Sequence, residues 1–417
     1  MKNWKRTFAI IWGGEFFSSL TSSIVAFAII FWFSIETKSP TVLSLLMVST
    51  LLPQLVLGLF TGVYIDRWNR KVVMILSDLF MAACTAVLVL LFFIGKVEIW
   101  HVYLLSGLRS VGNAFYQPAM KASVPLLAPE SELMRISGIN QIIYSASNIA
   151  GPALAAFLIT VLDMTVILST EVFGAMIACA ALLFVKIPNP VKADDVTPDF
   201  GKEIKEGLQA IFKQKGMRWL FLSDLGAMFF ILPIAALFPL MTLEHFGGNT
   251  YQMGIVEIVW SVGMLVGGTL ISINLFKHLN KAGIIAAMCI TDGLVFLLSG
   301  LLPPSGYIWF AVLTAVSGVA AAVWNSAFTV IMQTNIDIDK QGRAFSTYDS
   351  LSLLPSVFGL LATGFVATAI GLPQSFIIAG AGIFVVGAGI FAVPSVMRLG
   401  KEKAPAQPLP PAPSPQE

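Results

Sequence analysis

Eight ionisable residues stand inside long apolar runs of this 417-residue chain: Glu15, Asp78, Arg109, Glu171, Asp224, Glu257, Asp292 and Asp349. On insertion scales a charge at the centre of a bilayer costs about 3 kcal/mol, so such residues are rare without a use. Seven acids against one base suits the carrying of protons or the attraction of cationic solutes. Depth within the runs separates them. Asp78, Asp224 and Asp349 lie within about two helical turns of a run's end, where capping or headgroup contact explains them as well as function does. Glu171 and Glu257 lie near the opposite ends of their runs. Glu15 and Asp292 are nearer the middle, and Arg109 is central. A buried Arg demands an acidic partner, and Glu15 is the acid closest to it in depth. We therefore expect a Glu15–Arg109 pair and take Glu15, Arg109 and Asp292 as the proton-coupling candidates. Asp78, Glu171, Asp224, Glu257 and Asp349 form a second rank of membrane acids.

Other chemistries lack their residues. No G-x-x-x-x-G-K-[ST] phosphate loop supplies direct ATP drive, and no H-E-x-x-H or G-x-S-x-G supplies a catalytic constellation. His101, His245 and His278 are expected in loops and share no metal spacing, and Cys84, Cys179 and Cys289 are isolated within apolar runs. No enzyme activity, catalytic residue, metal or cofactor is expected, and a net charge of +2 gives no footing for nucleic acid.

The elements that position these residues follow from composition. Hydrophobic residues make up 57% of the chain and charged ones 12%, with a mean hydropathy of +0.84; a soluble domain carries about 25% charged residues. The apolar runs read as twelve transmembrane helices, at 8–34, 41–65, 72–94, 99–120, 136–160, 165–186, 217–241, 251–276, 282–302, 306–331, 344–368 and 375–397. The first is too long for a signal peptide and is interrupted by Glu15. With both termini cytoplasmic, every one of the 25 Lys and Arg residues falls inside except Lys38, Lys96 and the buried Arg109, as the positive-inside rule requires.

The expected domains are a six-helix bundle at 1–186, a cytoplasmic linker at 187–216, a second bundle at 217–398 and a disordered Pro-rich tail at 399–417. From Phe200 the linker has the pattern of an amphipathic helix lying on the membrane surface. A single shift along the chain places Arg135 on Arg343, Asp66 on Asn274 and Gly151 on Gly359, a weak internal repeat that supports two related halves. Polar residues enrich some spans: SSLTSS in the first, SVGNAFYQPA in the fourth, and Asn140, Gln141, Tyr144, Ser145, Ser147 and Asn148 in the fifth. Such groups line wet cavities or bond helix to helix.

The stretch GVYIDRWNRK, residues 62–71, breaks the apolar pattern between the second and third spans. It resembles the G-x-x-x-D-R-x-x-R-K signature of the major facilitator superfamily. That resemblance implies an all-α membrane fold of two pseudo-symmetric six-helix bundles, a central cavity, and alternating access by rocking of the halves. It makes Gly62, Asp66, Arg67, Arg70 and Lys71 a gating motif. Gly62 would give close packing, Asp66 would meet a facing helix N-terminus, and the three basic residues would bind the cytoplasmic gate and headgroups. LRSVGNAF around Arg109 is similar to the family's fourth-span motif, although Gly112 follows Arg109 by three residues rather than four. SNIAGPALAA resembles the Gly-Pro element of drug antiporters. Gly151 and Pro152 match it as a helix-bending pair, while Ala155 and Ala156 replace the later glycines.

Most of the chain before the tail is similar to the macrolide-efflux branch of that superfamily, through NWKRTFAIIWGGE, RSVGNAFYQPA, ALFPLMTLEHF and SGLLPPSG. This implies a monomeric, proton-coupled exporter of hydrophobic small molecules in a bacterial plasma membrane, its partners being drug, protons and lipid. Two other readings stay open: transport of a metabolite such as a siderophore or sugar, and a non-transporting membrane receptor on the same fold.

Overall fold

The computed structural model describes residues 4–127, 132–185, 200–273, 275–276 and 278–399. Its long helices are α1 (Trp4–Thr37), α2 (Pro40–Arg67), α3 (Arg70–Phe93), α4 (Ile99–Leu127), α5 (Leu133–Val161) and α6 (Met164–Leu183). A shorter α7 (Phe200–Phe212) leads to α8 (Lys215–Ala235), the three-residue α9 (Phe238–Leu240), α10 (Thr250–Ser272) and α11 (Lys281–Leu301). The chain then forms α12 (Tyr307–Asn335), α13 (Ile338–Ile370), α14 (Leu372–Ala392) and α15 (Pro394–Leu399). No strand occurs among the described residues.

Eleven helices there are long and apolar enough to cross a membrane. The long helix outside that set is α4, whose 29 residues carry Arg109, Lys121 and a run of polar side chains. Large apolar residues such as Leu76, Phe173 and Val385 face outward, and a bilayer is the solvent that accommodates them.

Packing sorts the long helices into two groups, α1–α6 and α8 with α10–α14. Inside each group the fifth helix presses on the first. A Cβ on Gly151 of α5 would run into Ser23 of α1, and one on Gly359 of α13 would run into the carbonyl of Phe229 on α8. The two glycines aligned by the sequence repeat thus do the same job in both groups. The groups meet along two helix pairs, α2 with α13 and α5 with α10.

Three local expectations change. The seventh apolar run is not one helix to residue 241: α8 ends at Ala235, just past Pro233, and the chain resumes as α9 and a π-helical turn over Met241–His245. Proline removes a backbone donor and crowds the preceding turn, and a second proline, Pro239, opens α9, so the break lies between two prolines. His101 belongs to α4 rather than to a loop. The linker helix α7 docks on α13: Gly207 packs against Thr347 and the carbonyl of Arg343, Glu206 pairs with Arg343, and Ile211 is fully buried. From Gly207 to Ile211 its packed face is therefore spent on protein.

Candidate functional site

Two ends of the molecule can be told apart. One carries the α2–α3 loop with Arg70 and Lys71, and is called here the basic end; the other carries Lys38. At the far end the groups are closed against each other. Lys38 Nζ lies 3.1 Å from Glu244 Oε1, and Thr41 Oγ1 donates to the Gly364 carbonyl at 3.0 Å. Thr160 and Tyr251 share a hydrogen bond of 2.9 Å. A Cβ on Gly254 of α10 would sit 2.6 Å from Ala156 Cβ on α5. The alanines that replace the usual later glycines are therefore contact residues: Ala156 meets Gly254 across the groups, and Ala155 is fully buried. Gly151 serves the approach of α5 to α1, and α5 runs through Pro152 without interruption.

Toward the basic end α5 and α10 separate around a cavity of about 810 Å³. Gln141, Tyr144, Ser145 and Asn148 line it from α5, Trp260, Ser261, Met264 and Thr269 from α10, and Asn325, Ser326 and Thr329 from α12. None of the lining residues is charged. Four of the polar α5 residues thus face the cavity, while two join helices: Asn140 accepts from the Trp12 indole, and the Ser147 carbonyl accepts from Ser23 Oγ at 3.0 Å. The polar contributions of α10 and α12 escaped the sequence reading; their helical spacing, at 261, 269, 272 and at 325, 326, 329, is the signal that carries them.

The buried charges lie mostly inside the two groups. Arg109 Nη2 is 2.5 Å from Glu171 Oε1. Glu171 also accepts from Ser22 Oγ at 3.0 Å and from Thr85 Oγ1 at 2.7 Å, so one carboxylate ties α1, α3 and α4 to α6. The expected Glu15–Arg109 pair is replaced by this one, and Glu15 accepts instead from the Tyr116 hydroxyl. Depth explains the exchange. Measured from the far-end termini of their helices, Arg109 lies about 15 Å in and Glu171 about 10 Å, whereas Glu15 lies about 33 Å in and Tyr116 about 26 Å. Arg109 and Tyr116 are two turns apart on one face of α4, and each finds the acid at its own level. Asp78 on α3 is buried at 1% exposure, with its Oδ2 unpartnered among the described residues.

In the second group Asp224 of α8 lies beside Tyr348 of α13 and Asp292 of α11 beside Ser317 of α12. Both carboxyls are buried, and neither has a basic partner among the described residues. Asp349 is exposed at the basic end, within electrostatic reach of Lys121 on α4 of the other group. Glu257 is partly exposed on α10, also without a basic partner among the described residues.

Of the candidate gating motif, the side chains of Gly62, Asp66 and Arg67 lie outside the described residues. Arg70 Nη1 donates to the Ala122 carbonyl at 2.6 Å, near the C-terminal end of α4. Lys71 Nζ donates to the carbonyls of Leu183 at 3.2 Å and Val185 at 2.7 Å, at the end of α6. Two cations at the start of α3 therefore neutralise the negative ends of two neighbouring helices.

A sequence model of the Major Facilitator Superfamily matches residues 11–356. The chain belongs to that superfamily. It is 35% identical over 399 residues to Macrolide efflux protein A of Streptococcus pyogenes, covering 95% of this chain and 98% of that protein. It is 36% identical over 311 residues to Macrolide efflux protein A of Enterococcus faecalis, covering 74% and 96%. Among solved structures, the nucleoside transporter NupG superposes with a TM-score of 0.73 at 14% identity, covering 93% of this chain and 98% of that one; this likeness concerns the fold. The protein is thus a multi-pass membrane transporter of the major facilitator superfamily.

Proposed function

We propose that the protein is a proton-coupled exporter of hydrophobic drugs, macrolides among them, working by alternating access across a bacterial plasma membrane. The observation that carries this reading is the pairing of a closed far end with an uncharged, aromatic- and amide-lined cavity open toward the basic end. Near-full-length similarity to macrolide efflux proteins supports the substrate class. With twelve spans and both termini cytoplasmic, the basic end faces the cytoplasm, and the arrangement described is the inward-facing one that loads drug. The bundles at 1–186 and 217–398 are the rocking bodies, and the protein acts as a monomer.

Gly62, Asp66 and Arg67 close the cytoplasmic gate in the other state, while Arg70 and Lys71 fix α3 to α4 and α6. Protons are taken up by carboxyls that have no base to neutralise them, with Asp292 and Asp224 foremost and Glu15 beside Tyr116 in the first group. An unpaired carboxylate is costly in a buried site, so gain and loss of a proton there can bias the packing of the two groups.

The test is macrolide accumulation in a pump-deficient bacterial host. Expression should lower accumulation, and a protonophore should restore it. Unchanged accumulation across a panel of macrolides would sink the drug-efflux reading and favour transport of a metabolite.

A further inference from the structure

The stripe of α10 that lines the cavity begins one turn earlier than its uncharged members. Ser261, Met264, Gly268 and Ser272 face the cavity at spacings of three to four residues, the spacing of one helix face. Glu257 precedes Ser261 by one turn on that face and Trp260 by three residues. On the facing helix the last lining residues are Asn148 and Ile149, and the next turn brings Pro152, whose carbonyl lies 3.2 Å from a Cβ built on Gly254. Glu257 therefore stands at the apex, where the open cavity ends and the two groups close.

We propose that Glu257 is the anionic anchor of the drug site and takes the protonated amine of an amphiphilic, hydroxyl-bearing substrate. The proposal rests on the efflux reading above and specifies the chemistry of its cargo. Three features point to an ammonium group. Glu257 has no hydrogen-bonding or ionic side-chain partner among the described residues, so its charge is free for a ligand. Below it the cavity carries no other charge, so a single cation is compensated and a second one, or an anion, is not. Residues three apart are neighbours on a helix surface, so Trp260, which lines the cavity, is a neighbour of Glu257, and an aromatic side chain near a carboxylate suits an alkylammonium. The amides and hydroxyls of Gln141, Asn148, Asn325 and Thr329 then meet the neutral polar remainder of the molecule, while Met264 and Leu265 meet its apolar face.

The experiment is equilibrium binding to the purified full-length protein of two probes, a macrolide carrying a tertiary amine and its N-oxide, in which that nitrogen is no longer basic. Wild type should bind the amine about tenfold more tightly than the N-oxide, the scale of one charge-assisted contact. Glu257→Gln should weaken amine binding by about the same factor and leave N-oxide binding unchanged, which also reports that the variant is folded. Glu257→Asp, retaining the charge, should keep the preference for the amine. A Glu257→Gln variant that loses both probes alike, or neither, overturns the proposal, as does a wild type that binds both equally while still exporting macrolide. A wild type that binds and exports neither probe overturns the efflux reading on which the proposal stands.

Discussion

The two helix groups share a plan and differ in how they treat charge. In both, the fifth helix packs on the first through a glycine, Gly151 and Gly359. In both, the first helix carries a carboxyl beside a tyrosine, Glu15 with Tyr116 and Asp224 with Tyr348. The third helix of each buries an Asp, Asp78 and Asp292, with one oxygen unpartnered among the described residues. The first group adds an Arg109–Glu171 pair fed by Ser22 and Thr85, which has no counterpart among the described residues of the second. A compensated ion pair with further hydrogen bonds holds four helices in register. Bare carboxyls do nothing of the kind. On the mechanism proposed above, scaffolding falls to the first group's Arg109–Glu171 network, and proton exchange falls chiefly to the second group's acids.

The sharpest way to break that contrast is to remove the base. Arg109→Ala leaves Glu171 buried at 3% exposure with its charge uncompensated, a loss of about 3–5 kcal/mol, and transport should vanish with it. Thermal unfolding of the purified protein measures the stability. Arg109→Gln combined with Glu171→Gln should recover much of the stability without restoring the wild-type network. A small effect of Arg109→Ala on unfolding would remove the scaffolding role.

The second group should behave in the opposite way. Asp224→Asn and Asp292→Asn remove a proton-binding group while preserving shape, and no basic partner among the described residues is left stranded. Unfolding temperatures should stay level or rise, while proton-driven macrolide export into vesicles falls about tenfold or more, the scale of a lost coupling free energy. A large fall in stability with intact transport would exchange the roles of the two groups.

These assignments show where sequence stops. Composition and the placement of Lys and Arg make the membrane class legible, and the spacing of GVYIDRWNRK makes the superfamily legible. The Arg109 partner was legible but misread, because depth counted from the far end already separates Glu15 from Arg109. The spans read as 8–34 and 99–120 already set Glu15 about 29 Å and Arg109 about 15 Å from the far end, and the observed α1, Trp4–Thr37, widens that gap by only about 5 Å. The cavity was half legible. The polar run on α5 announced itself, whereas the sparser polar residues of α10 and α12, Ser261 and Thr269 with Asn325, Ser326 and Thr329, are helically spaced but gain their meaning once α5, α10 and α12 converge. The break after Ala235 had a local signal in Pro233 that the continuous hydrophobic run concealed, and the docking of α7 on α13 depends on a tertiary partner that no local pattern specifies.

Closure at the far end gives a finer test, since it is shared by both groups. Gly254→Val brings branched carbon against Ala156 and the Pro152 carbonyl, where even a Cβ would lie 2.6 and 3.2 Å away. Overpacking of this kind costs about 1–3 kcal/mol. On the proposed alternating-access mechanism the cost falls on one conformation, because opening of the far end would release the contact. Cysteine pairs across α5 and α10 near Thr160 and Tyr251 should therefore crosslink less readily in the variant. Unchanged crosslinking would mean that the small-residue contact does not hold the far end shut.

The smallest effect belongs to the ion pair at the same end. Lys38 and Glu244 are 3.1 Å apart, but their side chains are 60% and 34% exposed. Water and salt screen such a pair, which is worth about 0–1 kcal/mol. Lys38→Ala should therefore shift the balance between the two facing states by less than about fivefold, and the shift should shrink further in high salt. Lys38 belongs to the loop between α1 and α2 and Glu244 to the π-helical turn after α9, so the pair joins the two groups at their far end. If Lys38→Ala instead matched Gly254→Val in the crosslinking assay, closure would be electrostatic rather than steric, and the far end would join the charge networks that distinguish the two groups.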